Sequence, residues 1–282
     1  MSASQIAVET ATDFYTAEAL SALAPAIAGS CALLAMYDMQ TSTLRTAVTG
    51  DSRAVLGSWS TATNDYVADV VSKDQTGFNQ DEVQRISQLH PGEKEKILDP
   101  ESGRLMGLAI TRAFGDHRWK FSNDFVKTIE NGFAGFSPAP QSKTPPYVTA
   151  RPELTTRQEQ RDDFVIMASD GLWDVMSSED AVACVSQWCK ERNKSSPKPA
   201  TSTKGNWKID KSGHVSYKAT AEHFTFEDKE NAAVCLLRNA LGGSRRNLVL
   251  GALTSTTPLS RYFRDDITIQ VIFFNDPHQE VQ

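Results

Sequence analysis

The sequence predicts an α+β fold, and three observations predict it. Short apolar runs of strand length recur and are joined by tight turns: Cys31–Tyr37, Thr43–Val48 and Ala54–Gly57 read as a continued hairpin. Other segments, 81–89, 178–189 and 230–241, carry apolar residues at helical spacing. The third observation is a buried-type strand, Val165-Ile-Met-Ala168, that ends in Ser169-Asp-Gly171 and leads into a helix-compatible stretch.

Composition narrows the function. The chain has 282 residues, 40% hydrophobic and 23% charged, which is ordinary globular usage. A net charge of -6 argues against a nucleic acid or an anionic membrane surface as the main partner. No apolar run is long enough to span a bilayer. Cys31, Cys184, Cys189 and Cys235 form no CxxC pair and have no His at zinc-ligand spacing, so they read as free thiols of a reducing compartment.

Taken in order, residues 13–28 suggest an amphipathic helix with Phe14, Ala17, Leu20 and Leu23 on one side. Residues 1–28 include Glu9, Asp13 and Glu18 and no Lys or Arg, so no import leader is visible. A genuine start at Met1 then implies the cytoplasm. Gly50-Asp-Ser52 is a tight turn between strands, with Asp51 expected to bond its own backbone. A strand over 67–72 leaves Asp74 just past its end. The helix over 81–89 stops at His90-Pro-Gly92, where His90 reads as a cap on the helix dipole and not as an acid–base group.

Residues 105–116 are apolar, interrupted by Arg112 and closed by the Gly115-Asp116 turn. Residues 120–146 lack periodicity and read as a loop or flap. Residues 147–150 and 153–156 suggest short strands around Pro152. The 178–189 helix has Ser177 or Ser178 as its cap and early acids at its positive end. From 190 to 213 the composition shifts to Lys, Ser, Pro, Thr and Gly, as in a mobile insertion. A helix over 230–241 ends at Gly242-Gly243, and a last strand over 267–274 follows Arg264-Asp-Asp266.

The carboxylates carry the chemistry. Gly171 lets the chain turn where the strand stops, so Asp170 is delivered at a strand end and Asp174 can reach back to the same place. The alternative is a plain turn at Asp170 with Asp174 as a helix N-cap. Few positive side chains are expected near Asp170 and Asp174, and Asp74 and Asp265 also stand near strand ends. Several carboxylates without thiolate or imidazole suit Mg²⁺ or Mn²⁺. A two-ion site of this kind suits phosphoryl chemistry with an activated water. It requires no side-chain nucleophile, and the chain has neither a Cys-x5-Arg loop nor a GxxxxGK[ST] loop.

Five stretches occur in the order seen in the metal-dependent type 2C (PPM) Ser/Thr protein phosphatases: Thr49-Gly-Asp-Ser-Arg-Ala-Val55, Ser72-Lys-Asp-Gln-Thr-Gly77, Thr111-Arg-Ala-Phe-Gly-Asp116, Ser169-Asp-Gly-Leu-Trp-Asp-Val175 and Arg264-Asp-Asp-Ile-Thr268. With Lys143-Thr-Pro-Pro-Tyr-Val148, the chain most resembles the fungal mitochondrial pyruvate dehydrogenase phosphatase branch, over residues 28–275. The resemblance implies an α–β–β–α sandwich of two antiparallel sheets flanked by helices. It makes Asp170 and Asp265 ligands of paired Mg²⁺ or Mn²⁺ ions, Asp174 and Asp74 ligands of a third, and Asp51 and Asp116 parts of structural turns. It also implies a phosphoprotein substrate, the pyruvate dehydrogenase complex, and the mitochondrial matrix.

One part of the family pattern is missing. No Asp-Gly-His occurs in these 282 residues, nor is the early phosphate-gripping Arg matched. The expectation is a phosphatase domain at 28–275, incomplete at its N-terminal side, behind a helix-like segment at 1–27 and ahead of a tail at 276–282. The chain as written is then weak or inactive as an enzyme. The competing readings are a pseudophosphatase scaffold and a small-molecule phosphoester hydrolase.

Overall fold

A strand whose neighbours cover both faces needs apolar side chains at every position, and Phe164–Ala168 has them. In a computed structural model of the chain, which describes residues 16–132, 137–160, 162–194, 207–209 and 214–275, all five are buried. The elements in order are α1 (Ala17–Ile27), β1 (Ala32–Asp38), β2 (Thr43–Thr49), β3 (Arg53–Ser60), β4 (Asp65–Val70), α2 (Gln80–Leu89), α3 (Lys94–Ile97) and α4 (Asn123–Gly132). Next come β5 (Glu153–Gln158), β6 (Phe164–Ala168), α5 (Asp170–Trp173), α6 (Ser178–Glu191), β7 (Lys208–Ile209), β8 (Val215–Ser216), α7 (Ala232–Ala240), α8 (Arg246–Thr254) and β9 (Ile269–Phe273). Helices with antiparallel sheets bear out the α+β class. One sheet runs β1-β2-β5, a second β4-β3-β6-β9, and β7 pairs with β8.

The chain divides into two compact units. The first comprises Met1–Leu34, Ala47–Ser52 and Lys73–Leu154. Its core gathers Val83, Ile86, Ile97, Leu105, Ile110 and Tyr147. At its centre lies a buried charge cluster. Glu82, one residue before Val83 on α2, accepts from Arg112 Nε at 3.0 Å, Arg85 Nη2 at 2.8 Å and Thr111 Oγ1 at 2.6 Å. Gly115 and Asp116 both take left-handed backbone, and a Cβ on Gly115 would lie 1.7 Å from the Ala28 carbonyl oxygen, so that turn requires glycine.

The second unit comprises Ala35–Thr46, Arg53–Ser72 and Thr155–Gln282. Here β3 pairs antiparallel with β4 and with β6, and β6 with β9, in the registers Arg53↔Ala168 and Ala168↔Ile269. Val55, Phe164 and Ile166 pack against Leu172, Met176, Val182 and Val185. Helix α6 starts where Ser177 Oγ accepts the Asp180 N–H at 3.0 Å, and α7 where Asn231 Oδ1 accepts from Ala233 and Val234.

Several expectations change. Residues 120–146 are not all loop: α4 runs through them, begun by Ser122, whose Oγ accepts the Phe125 N–H at 3.4 Å, and anchored by buried Val126 and Ile129. No strand forms at 147–150, where Pro146 and Pro152 flank the segment and Thr149 makes a single bridge to Arg112. In α1 the inward residues are Leu23 and Ala26, while Leu20 is 48% exposed; Phe14 lies outside the described residues. Helix α8 carries no cap signal and was not anticipated. Of the segment 190–213, only 190–194 and 207–209 are described, and the tail 276–282 lies outside the described residues.

Candidate metal centre

Strand register decides what stands at the end of the second unit's sheet. Because β9 runs antiparallel to β6 with Ala168 opposite Ile269, the residues just after β6 and just before β9 share one rim. Ser169 N–H donates to the Thr268 carbonyl at 3.1 Å, Ser169 Oγ donates to the Asp266 carbonyl at 2.9 Å, and Thr268 N–H donates back to Ser169 Oγ at 3.0 Å. Asp170 and the Asp265–Asp266 pair are thereby brought to the same edge. A Cβ on Gly171 would sit 2.5 Å from the Asp266 carbonyl oxygen, so the two backbones touch where glycine leaves room.

Asp170 opens the single turn α5, and Asp174 closes it, its N–H donating to the Asp170 carbonyl at 2.8 Å. Asp174 is therefore the end of α5 and not the N-cap of the following helix, a place Ser177 takes. The turn is held from several directions. Trp173 Nε1 donates to the Ala168 carbonyl at 3.0 Å within the core. The Arg53 guanidinium, opposite Ala168 in the register, lies 5.1 Å from the Trp173 ring centroid and donates to Ser178 Oγ at 3.2 Å. Lys218 Nζ donates to the Asp174 carbonyl at 2.7 Å. Lys218 is itself placed by buried Arg245, whose Nη2 donates to the Lys218 carbonyl at 3.0 Å.

Positive charge is thus well represented at this rim, contrary to the expectation of few cations nearby. Arg261 ion-pairs with Asp265, its Nη2 is 3.5 Å from Asp266, and Arg264 is 4.0 Å from Asp266. The Arg261–Asp265 spacing of four residues was legible, but Lys218 and Arg53 reach the rim through tertiary packing that no local pattern announces.

In the first unit, Asp74 follows β4 on a segment locked by its neighbour. Buried Gln75 accepts the Gly50 N–H at 2.7 Å, and its own N–H donates to the Gly50 carbonyl at 2.9 Å, while the Asn79 amide donates to the Asp74 carbonyl at 3.1 Å. Asp51, in the adjoining turn, accepts the Cys31 thiol at 3.3 Å, a partner 20 residues away. Burial pushes the Asp116 carboxyl up, with Lys120 acting against it. His90 ends α2 and faces Thr144 Oγ1 at 2.8 Å.

Hard oxygen donors fit Mg²⁺ or Mn²⁺ in kind. In number they do not yet: among the described residues, no three His, Cys, Asp or Glu side chains come together to hold a metal ion. These residues give the donor chemistry and not a complete centre.

Known proteins place the chain. It is 43% identical over 260 residues to a Schizosaccharomyces pombe protein described as a protein phosphatase 2C homolog, covering 92% of this chain and 55% of that one. It is 37% identical over 275 residues to the mitochondrial pyruvate dehydrogenase (acetyl-transferring) phosphatase 1 of Saccharomyces cerevisiae, covering 89% of this chain and 47% of that one. The chain therefore spans about half the length of the curated relatives it matches. A solved Toxoplasma gondii serine-threonine phosphatase 2C aligns with TM-score 0.48 and 17% identity over 92% of this chain and 62% of that one, too distant to argue from. The family model for protein phosphatase 2C matches residues 2–212, and on that match the chain belongs to the protein phosphatase 2C family.

Proposed function

We propose that this chain forms the larger part of a metal-dependent phosphatase domain, residues 28–275, that hydrolyses phosphoserine and phosphothreonine on proteins. The observation that carries the reading is the rim set by the β6–β9 pairing, with Asp170 after β6 on the α5 turn that Trp173, Arg53 and Lys218 hold, and Asp265 in the segment that leads into β9. Asp170 and Asp265 are the residues that would hold paired Mg²⁺ or Mn²⁺ ions, and Asp174 and Asp74 those that would serve a third. The turns at Asp51 and Asp116 have a structural role. When bound, such ions supply Lewis acidity and neutralise phosphate charge. The chain's part is to present Asp170 and Asp265 at one rim through the pairing of β6 with β9. The S. cerevisiae relative's name supports pyruvate dehydrogenase as the substrate and the mitochondrion as the location.

No Asp-Gly-His stands in these 282 residues, so their own turnover is slow. The test is hydrolysis of a phosphoserine peptide by the purified chain in Mn²⁺, beside p-nitrophenyl phosphate. Slow, Mn²⁺-dependent release from the peptide, abolished in Asp170→Asn, supports the reading. Release indifferent to Mn²⁺ and to Asp170→Asn contradicts it.

The absence of three converging ligands among the described residues favours a second reading, a binding module without turnover. It predicts phosphopeptide binding with no release at any Mn²⁺ concentration.

A further inference from the structure

Two thiols of the second unit stand together in its core. Cys184 lies on α6 and Cys235 on α7, each 1% exposed. One amide joins them. Asn239, a turn beyond Cys235 on the same face of α7, places its Nδ2 3.5 Å from the Cys184 sulfur and 3.6 Å from the Cys235 sulfur. The same nitrogen donates to the Thr225 and Cys235 carbonyls, both at 2.9 Å, which fixes its position. A hydrogen bond with Cys235, and burial, raise the Cys184 thiol well above the ordinary range. It is therefore protonated and slow to react while the helices stay packed. Cys31 is placed differently, its thiol donating to Asp51 within the first unit, and Cys189 is only partly buried.

We propose that Cys184 and Cys235 are a redox pair, which a peroxide converts to a disulfide that ties α6 to α7. One sulfur, as its thiolate, attacks a peroxide oxygen and breaks the O–O bond. It becomes a sulfenic acid, and the released hydroxide takes the thiol's proton to leave as water. The second sulfur then attacks the sulfenic sulfur. The S–S bond forms, and the hydroxyl departs with the second thiol's proton as another water. Two thiols and one peroxide thus give one disulfide and two waters. Because the packed pair is protonated and covered, opening of α7 sets the rate, and the cross-link then holds the helix in place. The link closes a loop of about 50 residues. The chain entropy it removes favours the folded second unit by about 30- to 1,000-fold. A dithiol reverses the link by exchange.

The test treats the folded wild-type chain with hydrogen peroxide, blocks remaining thiols, and maps its peptides without reduction. The expected product is a peptide joining Cys184 to Cys235, lighter by two hydrogens and separated again by dithiothreitol. The oxidised chain should show a higher urea midpoint than the reduced one, and the cross-link should form faster in urea below that midpoint. Cys184→Ala and Cys235→Ala should each lose both the joined peptide and the rise in midpoint, whereas Cys31→Ser and Cys189→Ser should keep them. Recovery of Cys184 and Cys235 as free thiols or as sulfinic acids, under a treatment that cross-links the urea-unfolded chain, would overturn the inference. A cross-link that leaves the urea midpoint unchanged or lowers it would overturn the locking of α6 to α7.

Discussion

Replacing Glu82 by Gln is expected to cost about 3 kcal/mol of folding stability, the lower end for breaking a buried ion pair. The Glu82 side chain is 1% exposed and Arg112 9% exposed, so the change strands positive charge in the core of the first unit. Arg112 retains Glu153 at 2.9 Å and the Arg151 carbonyl at 2.9 Å, which keeps the loss near that lower end. Burial alone would push the Glu82 carboxyl up. Hydrogen bonds from Arg112, Arg85 and Thr111 more than offset it and hold the group down at about 2, against an ordinary 4.5.

The sign of the pH dependence follows. A folded-state pKa below the unfolded one means the unfolded chain binds the proton first as pH falls. Glu82's contribution is therefore complete above pH 4.5 and disappears as pH falls through about 2. Its total is about 3 kcal/mol from the size of the shift. Urea denaturation of wild type and Glu82→Gln should show midpoints well separated at pH 7 and converging as pH falls from 4.5 toward 2. A separation that does not change with pH would rule out the ionised cluster as its cause.

Gly171→Ala is expected to destabilise the second unit by about 2–3 kcal/mol, as overpacking of a close contact does. The added Cβ would meet the Asp266 carbonyl oxygen at 2.5 Å and its carbon at 3.0 Å, both backbone atoms that cannot swing aside. Relief requires the α5 turn and the 265–267 segment to separate, which moves Asp170 away from Asp265. The variant should therefore lose Mn²⁺ affinity as well as urea resistance. Ser169→Ala removes hydrogen bonds to the same segment without adding bulk, and its stability loss should be smaller, about 1 kcal/mol. Unchanged Mn²⁺ binding in Gly171→Ala would mean that the contact does not set the carboxylate geometry.

Local signals announced much of this molecule. The uninterrupted apolar run before Ser169 marked a buried central strand, and Ser177 with its early acids marked the start of α6. Asp170 directly after the β6 strand was legible, because the apolar run ends at Ala168 and Gly171 turns the chain, whereas Asp265 stands four residues ahead of β9. Their common rim was not, since it depends on β6 pairing with β9 across about a hundred residues of chain. Glu82 escaped notice for a related reason: on a helix face it reads as a solvated acid paired with Arg85, and its burial depends also on Thr111 and Arg112, 29 and 30 residues on. Arg53 and Lys218 meet the α5 turn through tertiary contacts of the same kind. Helix α4 was different. Ser122, Asp124 and the Val126 and Ile129 spacing were present in the sequence, hidden by the proline-rich stretch that follows.

The most direct test of the rim as a divalent-cation site is calorimetric Mn²⁺ titration of the purified chain beside Asp170→Asn, with urea midpoints measured on both. The account predicts saturable Mn²⁺ binding by the wild-type chain, lost in Asp170→Asn while the urea midpoint is preserved. Identical titrations for the two chains, or no binding by either, would contradict it.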